Sequence, residues 1–383
     1  MTTTMRVGLF TESYEPVING VSTSVKTLAL ELIADGHEPV VLAPRYPGYA
    51  DSNEITVRRL PSWVSPWNPE NPFAHSPLLG QPMALRNLPL DVVHTQQPFG
   101  MGMHGRRLAR QLGVPLVSTF HTLYHEYTHY VRPLPPALSH WWLSRHLRLY
   151  YEGDCTRVIV PSRATGEILV RLGVSENKIS VVPTGIPPLR PVLPAECAAV
   201  RERYRLPEGA PVLLYVGRLA KEKNIEALFD GQAHWPDDAI LLLVGGGPAL
   251  EELKSKAESR QLAHRVRFAG FVPRMDLPPI FATATLFVFP SLTDTQGVVL
   301  SEAQSYGLPC IVANGGGAPE FVRDGIDALV VAPEQIGPAA ASLLTDPSRL
   351  QAFSCAARQS PLHPTPAEMA RQIVAVYEAA RND

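Results

Sequence analysis

The sequence predicts an α/β protein made of two Rossmann-like domains. Its 383 residues exceed the roughly 100 to 200 that one domain usually takes. In both halves, short apolar runs alternate with helical segments, a pattern typical of a parallel sheet covered by helices. A proline-rich stretch at residues 186–196 separates the halves and has the composition of a stiff linker. Because such domains bind ligands beyond the carboxyl ends of their strands, we expect the functional site in a cleft between them.

The overall composition excludes several classes of protein. A net charge of −2 and a pI near 6.6 give no general attraction for nucleic acid, so no nucleic-acid partner is expected. The four cysteines are scattered without a C-x-x-C pair, which indicates reduced thiols in a cytoplasmic protein and no zinc ribbon. The N-terminus lacks the form of a signal peptide, and no apolar run approaches the ~20 residues of a membrane span.

The first domain is predicted as a series of short buried strands with helices between them. The predicted strands are Met5–Phe10, Pro39–Ala43, Ile55–Leu60, Asp91–His94, Val114–Phe120, Val158–Pro161 and Ile179–Pro183. After the first strand, Asn19 and Gly20 form a turn, and residues 22–24 cap a helix that Gly36 ends. This order of elements suits the binding of a phosphate group. Neither G-x-G-x-x-G nor the Walker lysine pattern is present, however, which disfavours binding of a nicotinamide cofactor or ATP. Residues 61–90 are predicted as a long surface excursion.

A histidine pattern after the fifth strand suggests a different chemistry. His125, Glu126 and His129 spell H-E-x-x-H, which on a helix places two imidazoles one turn apart with the glutamate as base. A zinc metallopeptidase is therefore an alternative reading of this segment. Pro133 and Pro135 limit the helix, however, and no third-ligand motif is evident downstream.

The next segment, residues 136–151, mixes bulky aromatic side chains with cations. Trp141, Trp142, Arg145 and Arg148 give it the composition of a helix that lies at a membrane surface. At an anionic bilayer each such cation adds about 1 kcal/mol of attraction. The alternative is a packed helix with its tryptophans in the core and its arginines in solvent.

The second domain repeats the alternation of strands and helices. The predicted strands are Val212–Val216, Ile240–Val244, Val266–Phe271, Leu286–Phe289 and Cys310–Val312. Arg218 and Lys223 follow the first of these strands, so the planar donor fork of one and the point charge of the other converge where a diphosphate would sit. Arg274, after the third strand, is a further cation near a strand end and a candidate for contact with the same ligand. The chain ends in a predicted amphipathic helix, Pro366–Ala380.

Two acids in the stretch Pro290–Glu320 occupy different positions around one helix start. Asp294 lies in the polar loop that follows a strand, and Glu302 lies inside the helix that Gly297 opens. The backbone N–H groups near Gly297 and Val298 have no partner within the helix and offer a site for an anion.

At these residues the sequence resembles a known family. Asp294 and Glu302 stand seven residues apart within PS-x-x-D-x-x-G-x-V-x-x-E-A, which resembles the E-x7-E signature of retaining GT-B glycosyltransferases of family 4. The G-R-L-x-x-E-K-N motif at residues 217–224 is a further family signature. The F-H-T-x-Y-x-x-Y-x-H-Y motif at residues 120–130 resembles a stretch of bacterial diacylglycerol α-glucosyltransferases. Within the family, the chain is similar to these enzymes and to related α-mannosyltransferases. The chain departs from the family by having aspartate, one methylene shorter, at the first acid.

The resemblance implies a GT-B fold, with two Rossmann-like domains facing across a cleft. Residues 1–187 then form an acceptor-binding domain and residues 196–365 a nucleotide-sugar-binding domain. Residues 366–383 form a helix that crosses back onto the first domain.

The resemblance also implies roles for individual residues. In the second domain, Arg218 and Lys223 hold the donor phosphates, and Asp294 holds sugar hydroxyls. Gly297, Val298 and Glu302 complete the donor site, with Glu302 on the nucleotide ribose. In the first domain, Gly20 faces the donor phosphate and His121 the 6-hydroxyl of the donor sugar. Catalysis would rest on His121, Arg218, Lys223 and Asp294.

The implied reaction is transfer of a hexose, with retention, from a nucleotide-diphosphate sugar to a lipid such as diacylglycerol. UDP-glucose is the favoured donor. GDP-mannose, with a phosphatidylinositol, another lipid or a soluble acceptor, is the alternative. No obligatory cofactor or metal is expected, because D-x-D is missing. The enzyme would be cytoplasmic and peripheral on the inner face of the plasma membrane. A non-catalytic protein that binds sugar nucleotide or lipid is a third hypothesis.

Overall fold

The computed structural model of the chain describes residues 4–17, 19–65, 68–75, 85, 88–123, 136–360 and 362–383. The chain forms two compact units, the first made of Met1–Gly185 with Pro364–Asp383 and the second of Ile186–His363. The backbone therefore leaves the first unit after Gly185 and returns to it after His363. Each unit has its own parallel sheet, which confirms the predicted α/β fold class.

The first unit is built on a seven-stranded sheet. Its strands and the hairpin beside them are β1 Arg6–Phe10, β2 Glu38–Pro44, β3 Thr56–Leu60, β4 Ser62–Ser65, β5 Asn68–Ala74, β6 Val92–Thr95, β7 Leu116–Thr119, β8 Arg157–Val160 and β9 Ile179–Val181. The helices are α1 Gly20–Ala34, α2 Met101–Leu112, α3 Pro136–Arg148 and α4 Arg163–Arg171. The parallel order is β3-β2-β1-β6-β7-β8-β9, so β1 and β6 are central.

The segment predicted as a surface excursion contains secondary structure. Strands β4 and β5 pair antiparallel, with Trp63 opposite Phe73. These two rings lie 5.7 Å apart and are both exposed. The excursion's other residues lie largely outside the described part of the chain.

The second unit is built on a six-stranded parallel sheet. Its strands are β10 Val212–Val216, β11 Ile240–Val244, β12 Val266–Gly270, β13 Leu286–Phe289, β14 Cys310–Ala313 and β15 Ala328–Val331. Its helices are α5 Pro194–Arg203, α6 Glu226–Asp230, α7 Leu250–Ser259, α8 Pro278–Thr283, α9 Val298–Ser305, α10 Ile336–Leu344 and α11 Pro347–Arg358. The order β12-β11-β10-β13-β14-β15 puts β10 and β13 side by side at the centre. The loops after these two strands are those that carry the predicted cations and Asp294.

Two local predictions were wrong. The first helix is capped by Asn19 rather than by residues 22–24, because the Asn19 side chain accepts from Ser22 N while Ser22 Oγ accepts from Asn19 N. The stretch predicted as a linker also contains the start of α5. There Pro194 occupies the first turn and Glu196 accepts from Leu193 N at 2.8 Å.

The last helix, α12 Pro366–Asn382, belongs to the first unit. It buries a stripe that includes Met369, Ile373 and Tyr377 in the same core as Val7 and Leu32. Burial of an apolar side chain of this size contributes about 1.5–3 kcal/mol, so this stripe attaches the C-terminal segment firmly to the first sheet.

Candidate active site

The phosphate-loop candidate follows β10 and is braced by glycines. Gly217 N donates to Val244 O at 2.9 Å, and Leu219 N donates to Gly246 O at 2.9 Å. A Cβ atom added at Gly245 would lie 1.9 Å from Gly217 O, and one at Gly247 would lie 2.3 Å from Leu219 O. Only glycine therefore allows the loop after β11 to press against this backbone, which holds the start of the loop rigid.

Arg218 leaves this braced backbone with its side chain largely in solvent. The side chain is 55% exposed, and Tyr215 Oη donates to the Arg218 carbonyl at 3.1 Å. The main chain is thus fixed while the guanidinium is available to an incoming anion. Five residues later a single 3-10 turn, Lys221–Lys223, presents the second cation.

Lys223 and Asp294, which the sequence placed in separate motifs, are direct partners. Lys223 Nζ donates to Asp294 Oδ1 at 2.7 Å, and the two side chains are only 15% and 22% exposed. The Asp294 loop is fixed in turn by the glycines after β14. Gly317 N donates to Asp294 O at 2.7 Å, and a Cβ at Gly316 would lie 2.5 Å from that oxygen. Asp294 Oδ2 is buried and accepts no hydrogen bond from a described residue.

Glu222 is a buried acid that the sequence reasoning missed. Its side chain is 4% exposed, and among the described residues neither carboxylate oxygen accepts a hydrogen bond. Arg218 Nη1 lies 3.9 Å from Glu222 Oε1. Its place in the G-R-L-x-x-E-K-N motif was the sequence feature that could have identified it. Its position between Arg218 and Lys223 balances their charge and keeps one end of the arginine near the loop.

The start of α9 offers backbone donors beside these cations. Gly297 is the N-cap residue with φ of +75°, and within the described chain no side chain caps the helix. A Cβ at Gly297 would meet the Phe289 ring at 3.2 Å. Leu300 N donates back to Gly297 O at 2.8 Å, so among the described residues the N–H groups of Val298 and Val299 are the ones left for an external acceptor such as an anion.

Glu302 forms an ion pair with a basic residue, as Asp294 does. Arg274 Nη2 lies 2.5 Å from Glu302 Oε1, and the Glu302 side chain is 14% exposed. Burial raises the pKa of Glu302, while Arg274 acts in the opposite direction. Both line a cleft of about 360 Å³ together with Tyr306, Phe281 and the segment Ile186–Arg190. The Phe281 and Tyr306 rings are stacked at 5.7 Å. A polar edge with an aromatic wall suits a nucleoside.

In the first unit, His121 lies two residues beyond the carboxyl end of β7, close to where the sequence placed it. Its Nε2 lies 2.7 Å from Gln96 Oε1, and Gln96 follows the neighbouring strand β6. Burial lowers the pKa of His121 to about 4, so the imidazole is neutral at physiological pH. A neutral ring suits hydrogen bonding to a hydroxyl better than attraction of a phosphate.

Gly20 is the first residue of α1, directly after the Asn19 cap. Among the described residues, and apart from the chain neighbours and the helix's own backbone, no atom lies within 4 Å of a Cβ added there, so this helix start is open. Nearby, Glu12 was not predicted. It accepts from Met101 N at 2.7 Å at the start of α2, and burial raises its pKa.

Helix α3 exposes the residues that the sequence assigned to a membrane surface. Trp141 is 60% and Trp142 53% exposed, so the alternative that buried them in the core is wrong. The Arg145 guanidinium lies 6.0 Å from the centre of the Trp141 ring, and Arg148 is also exposed. Within the described residues, no helix is long and apolar enough to cross a bilayer.

The H-E-x-x-H residues His125, Glu126 and His129 lie outside the described residues. In the part of the chain that the structure does describe, no three His, Cys, Asp or Glu side chains are grouped so as to hold a metal ion.

Two family models match nearly all of this chain. Glycosyltransferase Family 4 matches residues 18–190, and Glycosyl transferases group 1 matches residues 198–360. The alpha-monoglucosyldiacylglycerol synthase of Acholeplasma laidlawii is 31% identical over 336 residues, which cover 84% of this chain and 83% of that protein. The GDP-mannose-dependent alpha-mannosyltransferase of Mycobacterium tuberculosis is 30% identical over 387 residues, covering 98% and 97%.

The fold is shared with solved structures of low sequence identity. The crystal structure of Anabaena Alr3699/HepE in complex with UDP and glucose has a TM-score of 0.78 at 18% identity, covering 98% of this chain and 100% of that one. WaaG, a glycosyltransferase involved in lipopolysaccharide biosynthesis, has a TM-score of 0.71 at 18% identity, covering 95% and 98%. The parallel sheets, the motifs they carry and these relatives agree: the chain belongs to glycosyltransferase family 4 and is a glycosyltransferase of the GT-B fold.

Proposed function

We propose that the enzyme transfers a hexose, with retention at the anomeric carbon, from a nucleotide-diphosphate sugar to a lipid acceptor. The favoured pair is UDP-glucose and diacylglycerol. The observation that carries the proposal is the contact of Lys223 with Asp294 beside the exposed Arg218, on loops that glycines hold rigid. The contact supports the proposal because a cation suited to phosphate then lies directly beside a carboxylate suited to sugar hydroxyls.

The donor would be held by residues of the second unit. Arg218 and Lys223 bind the diphosphate, together with the N–H groups at Gly297 and Val298. Glu302 binds the ribose in the cleft that it lines with Arg274. Asp294 Oδ2 is a buried acceptor to which no described residue donates, and a buried acceptor left without a donor costs about 1–3 kcal/mol. A sugar hydroxyl would supply that donor.

Catalysis would come mainly from positive charge placed before the reaction starts. The transition state has oxocarbenium character and expels a nucleoside diphosphate, so Arg218 and Lys223 stabilise the charge that develops on the leaving group. Because two cations and a helix start serve this purpose, we propose that no metal or other cofactor is obligatory. Gly20 and His121 keep the roles that the family resemblance gives them, toward a donor phosphate and the 6-hydroxyl.

The proposal of a lipid acceptor is supported by exposed residues of helix α3. We call Trp141, Trp142, Arg145 and Arg148 the α3 surface. Exposed tryptophans suit the bilayer interface, and the arginines complement anionic lipid head groups. The name of the Acholeplasma relative specifies monoglucosyldiacylglycerol as its product, which favours a lipid acceptor for this enzyme too. We therefore propose a peripheral enzyme on the inner face of the plasma membrane.

A second candidate differs in donor and acceptor. The mannosyltransferase of Mycobacterium tuberculosis matches along 98% of this chain, and its name specifies GDP-mannose. An α-mannosyltransferase acting on phosphatidylinositol, another lipid or a soluble acceptor is therefore the alternative to test.

The test is nucleoside diphosphate release from UDP-glucose, UDP-galactose, GDP-mannose and ADP-glucose, with EDTA, in the presence and absence of diacylglycerol in anionic vesicles. We expect one donor, UDP-glucose, to be turned over, and its turnover to rise with the lipid. Lys254→Ala removes a lysine of the same unit that pairs with Glu251 on the surface, and it should behave as wild type. Release only from GDP-mannose would favour the second candidate, and release from no donor would overturn both.

A further inference from the structure

His363, the last residue of the second unit, is inserted against helix α9. Its Nδ1 lies 2.8 Å from Ser301 Oγ and its Nε2 lies 2.9 Å from Gln304 Oε1. The ring also stacks on Phe321 at 6.0 Å. The next residue, Pro364, already belongs to the first unit. The backbone is thus attached to α9 at the point where it leaves the unit.

The direction of each hydrogen bond follows from a buried carboxylate. Asp327 is fully buried and accepts from Arg323 N at 2.7 Å and from Arg323 Nε at 2.6 Å. It also accepts from Gln304 Nε2 at 3.1 Å, so the Gln304 amide nitrogen faces Asp327 and its oxygen faces His363. His363 Nε2 must then be the donor and Nδ1 the acceptor for Ser301 Oγ.

A single neutral form of His363 therefore satisfies the whole network. Burial lowers its pKa to about 4, which agrees with a neutral ring. Ser301 and Gln304 are 0% and 1% exposed, so each would lose a hydrogen bond that water cannot replace if the imidazole were removed.

The two residues that His363 holds lie on either side of Glu302. They are three positions apart, so they share one face of α9, while Glu302 projects from the same turn about 100° around the helix from Ser301. Helix α9 has only eight residues and no side-chain cap among the described residues, so its own propensity does little to fix it. Its placement depends on contacts from outside the helix.

We propose that His363 is a positioning residue for the nucleotide site: it fixes the central turn of α9 and thereby aims Glu302 at the ribose. The inference rests on the proposed role of Glu302. It predicts that loosening His363 weakens nucleotide binding more than it slows transfer once the donor is bound.

The experiment measures UDP and GDP affinity by calorimetry and the kcat and KM for the donor. His363→Phe keeps the ring stacked on Phe321 but removes both hydrogen bonds. We expect about tenfold weaker binding, which corresponds to about 1.4 kcal/mol, with kcat at saturating donor within about threefold. His363→Gln keeps one donor and one acceptor, so its affinity should lie closer to wild type.

A control separates positioning from a general loss of stability. Asp346→Ala removes the side-chain cap of α11 in the same unit, where Asp346 Oδ1 accepts from Arg349 N at 3.0 Å. This should cost roughly 1 kcal/mol of stability without changing nucleotide affinity. If Asp346→Ala weakens binding as much as His363→Phe, the positioning role is overturned.

Glu302→Ala distinguishes failure of the inference from failure of the proposed function. If Glu302→Ala weakens nucleotide binding and His363→Phe does not, the positioning role of His363 is overturned and the ribose assignment stands. If both bind as tightly as wild type, the ribose assignment fails and the inference fails with it. Weaker binding in both, with recovery in His363→Gln, supports the inference.

Discussion

At the scale of single residues, the proposed donor chemistry depends on the contact between Lys223 Nζ and Asp294 Oδ1. In water an exposed pair of this kind contributes about 0–1 kcal/mol, but here both side chains are mostly buried. Removing one partner leaves the other as a partly buried charge, which costs more than the pair itself contributes. Loss of Lys223 should therefore affect both stability and turnover, and the two effects can be separated.

Lys223→Ala should lower turnover at saturating donor by about a hundredfold or more, because the cation proposed to stabilise the leaving diphosphate is lost. It should also reduce the free energy of unfolding by roughly 1–3 kcal/mol, because Asp294 loses its partner. Adding Asp294→Asn should restore much of the stability without restoring turnover. Initial rates and urea unfolding measure the two quantities. Recovery of turnover in the double variant would count against a phosphate role for Lys223.

At the scale of elements, the carboxyl ends of β6 and β7 carry a connected set of histidines. His94, in β6, lies 2.7 Å from Tyr377 Oη of α12 and 2.7 Å from Thr119 Oγ1 of β7. His121 follows β7 two residues later. The C-terminal helix is thus bonded to the strand end that presents His121, and burial keeps the bonded His94 neutral at physiological pH.

Stability should fall as the pH drops below about 6.5, because the unfolded chain binds protons that buried histidines do not. Burial lowers the pKa of His94 to about 3 from an ordinary value of 6.5, so its contribution is fully present above 6.5 and is lost progressively toward pH 3. The slope is at most about 1.4 kcal/mol per pH unit for this group. Urea unfolding between pH 7 and pH 5 should show a shallower slope for His94→Gln. Identical slopes would contradict the assignment.

The exposed tryptophans of helix α3 lead to a separate prediction about membrane attachment. Trp141→Ser combined with Trp142→Ser should reduce binding to anionic vesicles by at least about tenfold, because two interfacial aromatic side chains are lost. Since both are more than half exposed, the unfolding free energy should change by less than about 1 kcal/mol. Vesicle co-sedimentation measures the binding.

The matched control for the α3 surface is Val170→Ser on α4, another exposed apolar residue of the same unit. It should leave vesicle binding unchanged. If the control weakens binding as much as the tryptophan variant, or if the tryptophan variant still binds normally, the α3 surface is not the attachment site.

At the scale of the whole molecule, the sequence predicted the two-unit α/β architecture because each strand carries its own local signal. The runs Val212–Val216, Ile240–Val244 and Leu286–Phe289 were predicted with the bounds that the structure has, since buried parallel strands read as unbroken apolar stretches. Strand β15 was missed. The hairpin of β4 and β5 was missed because its segment contains several prolines, which weaken the strand signal.

The sequence identified many candidate residues but not their partners. Lys223 and Asp294 are 71 residues apart, and no local pattern links positions so distant. The contact between Arg274 and Glu302 was likewise not predictable from local patterns, because it depends on how separate elements of the fold pack together. Glu222 and His363 were overlooked because burial, rather than residue type, makes them notable. Residue identity thus predicted the chemistry, while pairing and burial needed the tertiary structure.

The most direct test of the proposed reaction is to determine the configuration at the anomeric carbon of the product. UDP-glucose labelled with ¹³C at that carbon is incubated with the enzyme, diacylglycerol in anionic vesicles and EDTA, and the lipid product is examined by NMR. We expect an α-linked glucolipid, formed without added metal and lost in Lys223→Ala. A β-linked product would contradict retention, and no glucolipid at all would contradict the proposed donor and acceptor.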